Sequence, residues 1–378
     1  MTTQIAIDGY KTLAKQVMEE RYSHVMQGRL ETWEQICRRV CYWIMGKGSK
    51  WSIPKDVHDA CLEMMIERKI IPGGRILAQT GREYHQVSNC FLLRAEDTRE
   101  GWADLASKAM SMMMSGGGIG VDYSALRPNG AVLERSGGTS SGPVNLMKAV
   151  NAIGKSAVSS GRRSGAVYAS LRWDHDDVFD FISLKNGPNN EMESTNISVI
   201  LDEGFFSEYR AGNPWAHSVF NVTLRNALRW GDPGFQIDAE DSEESLRNAC
   251  CEIVSKDDSD SCLLGHVNVA NIRDQEELVY ATELMTLFLL SCTEYTHSPT
   301  EKAHRVRQEN RRLGAIAVVA IGWGMLKESA QYLPAHSAVL AQVPNHTSNS
   351  SFTSPYLNPC LINHSPNPIN PTPNLLFS

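Results

Sequence analysis

The chain has 378 residues, of which 42% are hydrophobic and 21% are charged, so it is long enough to bury one large core or two smaller ones. Its formal net charge of −7 argues against a protein that follows nucleic acid through a basic surface, and so against direct DNA binding. The longest apolar stretch, Leu284 to Cys292, is too short to span a bilayer, and Met1 to Gln4 does not begin a signal peptide. We therefore expect a cytoplasmic protein with no membrane segment.

Nine cysteines in a chain of this length do not indicate a disulfide framework. In a reducing compartment, a cysteine pair is more typically catalytic, metal-binding or buried. No Cys-x-x-Cys pair occurs in the sequence, which argues against a structural zinc site. We expect no bound metal.

Residues 1–75 are predicted to form a helical region. Thr32 and Gln35 fit a capping box at the start of an apolar stripe that runs from Trp33 to Trp43. A second helix is predicted to begin at Pro54, because proline suits the first turn of a helix, and to end before Pro72.

Residues 76–333 have a different sequence pattern, in which short apolar runs and glycine-rich turns alternate with helical patterns. Strands are predicted near residues 91–93, 119–123, 165–171 and 197–201, and helices near residues 98–113, 141–158, 222–230, 275–295 and 300–326. Such alternation predicts an α/β core. Residues 334–378 hold half of the 16 prolines and no Asp, Glu, Lys or Arg, so they are predicted to be a disordered or non-family tail.

Seven short motifs occur in the order seen in one enzyme family. They are Gly73-Gly74-Arg75-Ile76-Leu77, Ser88-Asn89-Cys90, Gly116-Gly117-Gly118-Ile119-Gly120, Leu126-Arg127-Pro128, Ser141-Gly142-Pro143, Arg162-Arg163-Ser164-Gly165-Ala166 and Asn248-x-Cys250-x-Glu252. Each motif alone is weak, but the set resembles ribonucleotide reductase large subunits, most closely the adenosylcobalamin-dependent class II branch.

The resemblance implies reduction of ribonucleotides to 2′-deoxyribonucleotides, the precursors of DNA, by a thiyl radical. Cys250 matches the thiyl position, Glu252 would accept the 3′-hydroxyl proton, and Asn248 would orient the substrate. We expect these three to lie on one side of an extended loop, because alternate residues of extended chain share a side. We also expect the radical sulfur to be buried, because water and other thiols would quench it.

Cys90 and Cys262 match the redox pair of the family, which supplies two electrons by forming a disulfide. The bond requires Cα atoms within roughly 7 Å, so the two segments must be neighbours in the fold. The implied partner is a thioredoxin-like or small dithiol reductant. Two positions depart from the family pattern: Cys251 stands where relatives usually have Gly, and Ala249 where they usually have Pro.

The resemblance also implies two nucleotide sites. The residues expected to bind substrate are Ser88, Asn89, Gly118, Gly120 and Ser141, and those expected to bind a dNTP or ATP effector are Asp97, Arg127, Arg162 and Arg163. Glycine lets the backbone approach a nucleotide closely, and helix starts and arginines attract phosphate. No N-terminal ATP-cone pattern is visible.

The implied fold is the first half and the thiyl loop of a ten-stranded α/β barrel, placed after the N-terminal helical region. The family pattern fades after Gly314, so we expect a truncated or split subunit that a second polypeptide completes, with a homodimer as a further possibility. Three alternatives stay open: a class I large subunit that draws its radical from another subunit, an inactive nucleotide-binding or complementing fragment, and, least favoured, a glycyl-radical lyase.

Overall fold

The N-terminal helices form where local sequence signals place them. In the computed structural model, which describes residues 13–26, 28–47, 49–134, 136–157, 165–187, 192–238 and 243–318, Thr32 caps the helix Trp33–Cys41. The Thr32 side chain accepts from the backbone N–H of Gln35, and the Gln35 side chain accepts from the N–H of Thr32 at 2.8 Å, which confirms the capping box. The next helix, Lys55–Ile66, follows Pro54 as predicted.

The main elements alternate between strand and helix. The helices are α1 Trp33–Cys41, α2 Lys55–Ile66, α3 Gly74–Gln79, α4 Arg99–Met114, α5 Gly142–Ser156, α6 Val178–Ser183, α7 Glu203–Arg210, α8 Pro214–Trp230, α9 Gln275–Tyr295 and α10 Glu301–Asn310. The strands are β1 Val25–Met26, β2 Arg29–Leu30, β3 Ile70–Pro72, β4 Cys90–Arg94, β5 Gly118–Asp122, β6 Val167–Arg172, β7 Thr195–Asp202, β8 Gly234–Asp238, β9 Leu246–Arg247, β10 Val254–Ser255, β11 Asp260–Asn268 and β12 Leu313–Val318.

One large sheet organises the molecule. Its strand order is β12-β11-β4-β5-β6-β7-β8, and β3 pairs with β11 outside this path. Strands β4 to β8 run parallel to one another, whereas β11 runs antiparallel to β4 and parallel to β12. The arrangement is a curled half-barrel of mixed α/β type behind a helical N-terminus, which confirms the predicted fold class.

The two faces of the parallel strands differ in chemistry because successive side chains point to opposite sides. On β4, Phe91 and Leu93 pack in the larger hydrophobic core with the helices, whereas Cys90 and Leu92 belong to a small separate cluster. On β6, Val167 and Ala169 face the same large core. The opposite, concave face therefore carries Cys90 and Leu92 of the small cluster.

The N-terminal helices share a second hydrophobic core with the long helix α9. This core combines Ile36 and Val40 of α1 with Met65 of α2 and Phe288 of α9. Strand β3 continues the connection, because Ile70 pairs with Val267 of β11. Among the described residues, no helix combines the length and the apolar character needed to cross a membrane.

Two predicted features differ from the structure. The helix predicted over residues 300–326 is wrong over residues 311–318, where Arg311 adopts a left-handed φ of 47° and the chain enters strand β12; residues 319–326 lie outside the described residues. The reason is nonlocal, since β12 is held by parallel pairing with β11. Helix α8 begins at Pro214, eight residues before the predicted start. The predicted tail, residues 334–378, lies outside the described residues.

Candidate functional site

The segment Asn248 to Ile253 forms the tight turn of a hairpin. Strands β9 and β10 pair in antiparallel register, with Arg247 opposite Val254. Within the turn, the Asn248 side chain accepts from the N–H of Ile253 at 3.1 Å and donates to Glu252 Oε1 at 2.7 Å. The expectation of an extended loop is therefore wrong, because the Asn248 amide crosslinks the segment and closes it into a turn.

The cysteines of two distant segments meet at this turn. Cys90 at the start of β4 pairs in register with Cys262 on β11. Antiparallel partners have Cα atoms roughly 4.5–5.5 Å apart, which is within the range that a disulfide needs. The Cys90 thiol contacts the thiols of both Cys250 and Cys262, and Asn248 Nδ2 lies 3.6 Å from Cys262 Sγ.

The three thiols differ in exposure, and the pKa values of two of them, Cys90 and Cys250, are raised. Cys90 and Cys262 are buried, whereas Cys250 is exposed at the tip of the turn. Contact with Cys90 and then burial raise the pKa of Cys250. Contact with Cys250 lowers the pKa of Cys90, but contact with Cys262 and burial raise it by more. The expectation that Cys250 is buried is not met, because the described residues leave the tip of the hairpin uncovered.

Glu252 contacts the Cys250 thiol and has one carboxylate oxygen without a hydrogen-bond partner among the described residues. Its Oε1 atom accepts from Asn248, and its buried Oε2 atom finds no hydrogen-bond partner within the described part of the chain. A buried carboxylate oxygen without a donor is costly. This atom is therefore suited to accept a proton or a hydroxyl group from a ligand.

Two glycines of β5 form the floor beneath the hairpin. A Cβ atom built at Gly120 would overlap the carbonyl of Arg247 and lie 2.9 Å from the carbonyl carbon of Asn248. At Gly118 it would lie 3.0 Å from Ala249 Cβ and 3.3 Å from Cys90 Sγ. The sequence analysis predicted that these glycines bind substrate; the structure places the hairpin against them, and their contact with a nucleotide stays a prediction.

The neighbouring concave face carries polar residues that the sequence analysis missed. The Tyr168 hydroxyl donates to Gln236 Oε1 at 2.8 Å and contacts Ser198 and the Cys251 thiol. Burial raises the pKa of Tyr168. Each strand residue of this group alternates with apolar neighbours, and that alternation is the sequence signal that could have found them.

Cys251 occupies an unusual backbone conformation. Its φ angle is +66°, in the left-handed region that favours glycine. Burial raises the pKa of its thiol, and contact with Tyr168 lowers it in part. Cys251, which stands where the family usually has Gly, therefore lies at a position whose backbone conformation favours Gly.

Ion pairs and hydrogen bonds fix both ends of the hairpin to the sheet. Arg247 pairs with Asp238 of β8. On the other side, Asp260 Oδ2 accepts from Ser255 at 2.7 Å and from Asn310 at 2.8 Å. These contacts hold the thiol turn in a defined position over the concave face.

Ser88 and Asn89, which the sequence analysis predicted to bind substrate, precede Cys90 directly in the chain and make contacts within the protein. Ser88 is buried with 1% of its surface exposed. The Asn89 side chain accepts from the N–H of Leu264 at 3.2 Å, and a Cβ on Gly73 would lie 3.0 Å from the same Asn89 oxygen. The Asn89 side chain therefore bonds to β11 and leaves no room for a Cβ atom at position 73, in the loop before α3.

Three other predicted residues, Asp97, Arg127 and Ser141, lie together at the other end of the strands. A cavity of 930 Å³ is lined by Asp97, Trp102, Arg127 and Ser141, among others, and Arg127 pairs with Asp97 at 2.7 Å. Thr98 caps helix α4 there, as predicted. The structure therefore groups Ser141 with Asp97 and Arg127, whereas the thiols lie where β4 begins.

Arg162 and Arg163 lie outside the described residues. Within the described ranges, no group of three or more His, Cys, Asp or Glu side chains is arranged to hold a metal ion.

Comparison with known proteins gives a consistent match. The family model "Ribonucleotide reductase, barrel domain" matches residues 88–226 and 239–341, more than half of the chain. The chain is 25% identical over 281 residues to a vitamin B12-dependent ribonucleoside-diphosphate reductase of Thermoplasma acidophilum, which covers 67% of this chain and 37% of that protein.

Two other relatives carry names of different reductase types. A putative adenosylcobalamin-dependent ribonucleoside-triphosphate reductase of Mycobacterium phage D29 is 29% identical over 275 residues, which covers 58% of this chain and 39% of the relative. The alpha subunit of a ribonucleoside-diphosphate reductase of Chlamydia trachomatis is 23% identical over 311 residues, covering 74% and 28% respectively. The chain spans less than two fifths of the length of these relatives.

Proposed function

The chain belongs to the ribonucleotide reductase barrel family, and on that premise we propose that it carries the thiyl-radical site of an enzyme that reduces ribonucleotides to 2′-deoxyribonucleotides. The observation that carries the proposal is the meeting of three thiols: Cys90 contacts both Cys250 and Cys262 beside the Asn248–Glu252 pair. The sequence separates these residues widely, so the fold has to bring them together for the chemistry to be possible.

Each group has a role that its position supports. A radical on Cys250 would remove hydrogen from C3′ of the ribose, and the free Oε2 atom of Glu252 would take the 3′-hydroxyl proton as the 2′-hydroxyl leaves as water. Cys90 and Cys262 would supply the two electrons and become a disulfide. Asn248 would hold Glu252 in place through its 2.7 Å hydrogen bond. Bound substrate would cover the exposed Cys250 and keep water away from the radical.

Adenosylcobalamin is the proposed cofactor. When bound, it supplies the radical that removes a hydrogen atom from Cys250. The fit rests on exposure: the Cys250 thiol lies at the tip of a turn, open to a large organometallic group, whereas Cys90 and Cys262 are buried. A class I radical source is distinguished by adding adenosylcobalamin and recording the spectrum of cob(II)alamin, which forms only in the class II case.

We propose that the cavity at the start of α4 binds the nucleotide effector. The N-terminus of this 16-residue helix and Arg127 provide positive charge for phosphate, and Trp102 provides an aromatic surface for a base. Ser141 at the start of α5 is assigned to this cavity in the proposal, because it lines the same space.

The test is deoxyribonucleotide formation from ribonucleoside di- and triphosphates with adenosylcobalamin and dithiothreitol. The Cys250→Ser variant is expected to form none, and Cys251→Ser is the matched control because it removes the adjacent exposed thiol. Product from Cys250→Ser at the unaltered rate would contradict the proposal.

A second candidate function is nucleotide binding without turnover, in a chain that complements another polypeptide. The 930 Å³ cavity with its Asp97–Arg127 pair favours it, since no cysteine lines this space. Equilibrium binding of dNTPs, weakened by Arg127→Gln, together with no deoxyribonucleotide product, would favour this function over the first.

A further inference from the structure

A chain of polar side chains crosses the concave face and ends at the thiol hairpin. The Tyr168 hydroxyl of β6 donates to Gln236 Oε1 of β8 at 2.8 Å, and Gln236 Nε2 donates to Asp238 Oδ2 at 2.7 Å. Asp238 Oδ1 accepts from the guanidinium of Arg247, the last residue of β9. The Arg247 and Asp238 side chains are 12% and 13% exposed, so this ion pair is largely shielded from water.

Arg247 connects the hairpin to two strands at once. Its carbonyl group lies so close to Gly120 of β5 that a Cβ atom there would overlap it, while its guanidinium reaches Asp238 of β8. Strand β8 holds the incoming chain a second time, because Gln236 Nε2 also donates to the carbonyl of Ser245 at 2.8 Å. The position of the hairpin is therefore set from β8 as well as from the glycines of β5.

The residue that follows Arg247 carries groups that the proposed chemistry needs. Asn248 donates to Glu252 Oε1 at 2.7 Å, and its Nδ2 atom lies 3.6 Å from Cys262 Sγ. Because Asn248 is bonded directly to Arg247, moving Arg247 moves the Asn248 amide and, with it, the carboxylate of Glu252. Arg247 itself takes no part in the proposed chemical steps, so its contribution is one of geometry.

We propose that Arg247 is a positioning residue of the radical site, and that its ion pair with Asp238 fixes where Asn248 and Cys250 stand relative to the ribose. This inference rests on the proposed function, which supplies the reaction. Arg247 acts through the residue that follows it rather than on the substrate, so its loss is expected to lower kcat and to leave KM unaltered. A misplacement of about 1 Å can cost roughly a hundredfold in rate.

The bonding of Asp238 explains why arginine suits this position. Both carboxylate oxygens are used, one by Gln236 and the other by Arg247, so the carboxylate has a fixed direction. Arg247 Nη2 bonds to Asp238 while Nη1 donates to the carbonyl of Glu244 at 3.0 Å. A planar guanidinium makes such bonds in fixed directions, whereas a lysine ammonium is a point charge on a flexible stem. Arg247→Lys is therefore expected to keep the charge and only part of kcat.

The test combines two readouts on the full chain. Arg247→Met keeps an aliphatic stem and removes the charge. Its kcat for deoxyribonucleotide formation with adenosylcobalamin and dithiothreitol is expected to fall by about tenfold or more, with KM within about twofold of the unaltered value. Hydrogen exchange read by mass spectrometry is expected to be about tenfold faster in peptides that cover β9 and β10, and unaltered in peptides that cover β4.

Lys185→Met is the matched control. It removes an ion pair of similar burial with Asp232, in which the two side chains are 9% and 19% exposed, and which makes no contact with the hairpin among the bonds of the described residues. This variant is expected to change neither kcat nor hydrogen exchange in the hairpin.

A double variant separates positioning from stability. Arg247→Met leaves Asp238 as a shielded charge without its cation, and adding Asp238→Asn removes that charge. The double variant is expected to regain resistance to urea relative to Arg247→Met, while its kcat stays low. Recovery of kcat together with stability would overturn the inference, because Arg247 would then serve stability alone.

Two further outcomes would also overturn it. One is a raised KM with unaltered kcat in Arg247→Met, which would make Arg247 a substrate-binding residue, and the other is unaltered hydrogen exchange in the hairpin. If the unaltered chain forms no deoxyribonucleotide, that result counts against the proposed function, and hydrogen exchange in the hairpin then decides the inference on its own.

Discussion

The contact between Gly120 and the thiol hairpin predicts a specific effect of adding one methyl group. In Gly120→Ala, the new Cβ would overlap the carbonyl of Arg247 and lie 2.9 Å from the carbonyl carbon of Asn248. Carbon atoms prefer separations of roughly 3.5–4.0 Å, so the hairpin has to retreat. Overpacking of this kind costs about 1–3 kcal/mol of unfolding free energy.

The retreat also has a chemical consequence. Asn248 carries the 2.7 Å bond to Glu252 and the 3.6 Å approach to Cys262, so moving its backbone moves both contacts. We expect Gly120→Ala to lower both the unfolding free energy and the rate of deoxyribonucleotide formation. Gly118→Ala, whose new Cβ would meet Ala249 at 3.0 Å, is expected to have a smaller effect.

The assay is urea unfolding at pH 7, combined with the rate at which diamide forms the Cys90–Cys262 disulfide. Gly46→Ala is the matched control, because a Cβ there meets no described atom within 4 Å. Its unfolding free energy is expected to stay within about 0.5 kcal/mol of the unaltered value or to rise slightly. If Gly120→Ala were as stable as Gly46→Ala and formed the disulfide at the same rate, the close packing of the hairpin on β5 would be refuted.

Three further predictions concern single side chains. Cys251→Gly should be more stable to urea than Cys251→Ala by about 1 kcal/mol. Both variants lose the thiol, but only Ala keeps a Cβ atom at φ +66°, where that atom strains the backbone. Equal stability of the two variants would contradict this backbone strain. Tyr168→Phe should lower the unfolding free energy by about 1–3 kcal/mol, because buried Gln236 Oε1 loses its donor, and an unchanged melting temperature would contradict this. The ion pair with Lys69 holds the pKa of Glu277 at about 2, so its stabilisation is complete above pH 4.5 and is lost as the pH falls towards 2. Glu277→Gln should therefore be less stable than the unaltered chain at pH 7, and the difference should disappear near pH 2 in acid titrations followed by circular dichroism.

Local signals were sufficient for two helix starts, although not for that of α8. The caps at Thr32 and Thr98 act within one turn, and the structure has both helices where these residues predict them. Strands β4 to β7 were also predicted near their observed positions, because alternating or continuous apolar runs report burial directly.

Pairing between distant segments was beyond these signals. The segment after Asn310 has a helical pattern, yet it becomes strand β12 because β11 supplies its hydrogen bonds. The turn at Asn248 was predicted as extended chain, whereas its side chain bonds to Glu252 and to the N–H of Ile253 and closes a hairpin.

By itself, the sequence determined which residues could take part in the chemistry: three thiols, a carboxylate and an amide, on segments whose order matches one family. Only the tertiary structure decided how they are arranged. Register pairing of β4 with β11 brings Cys90 to Cys262, and the glycine floor of β5 lets the hairpin bring Cys250 against Cys90. The physical reason is that side-chain identity is a local property, whereas contact between residues far apart in the chain depends on sheet pairing and close packing of the whole fold.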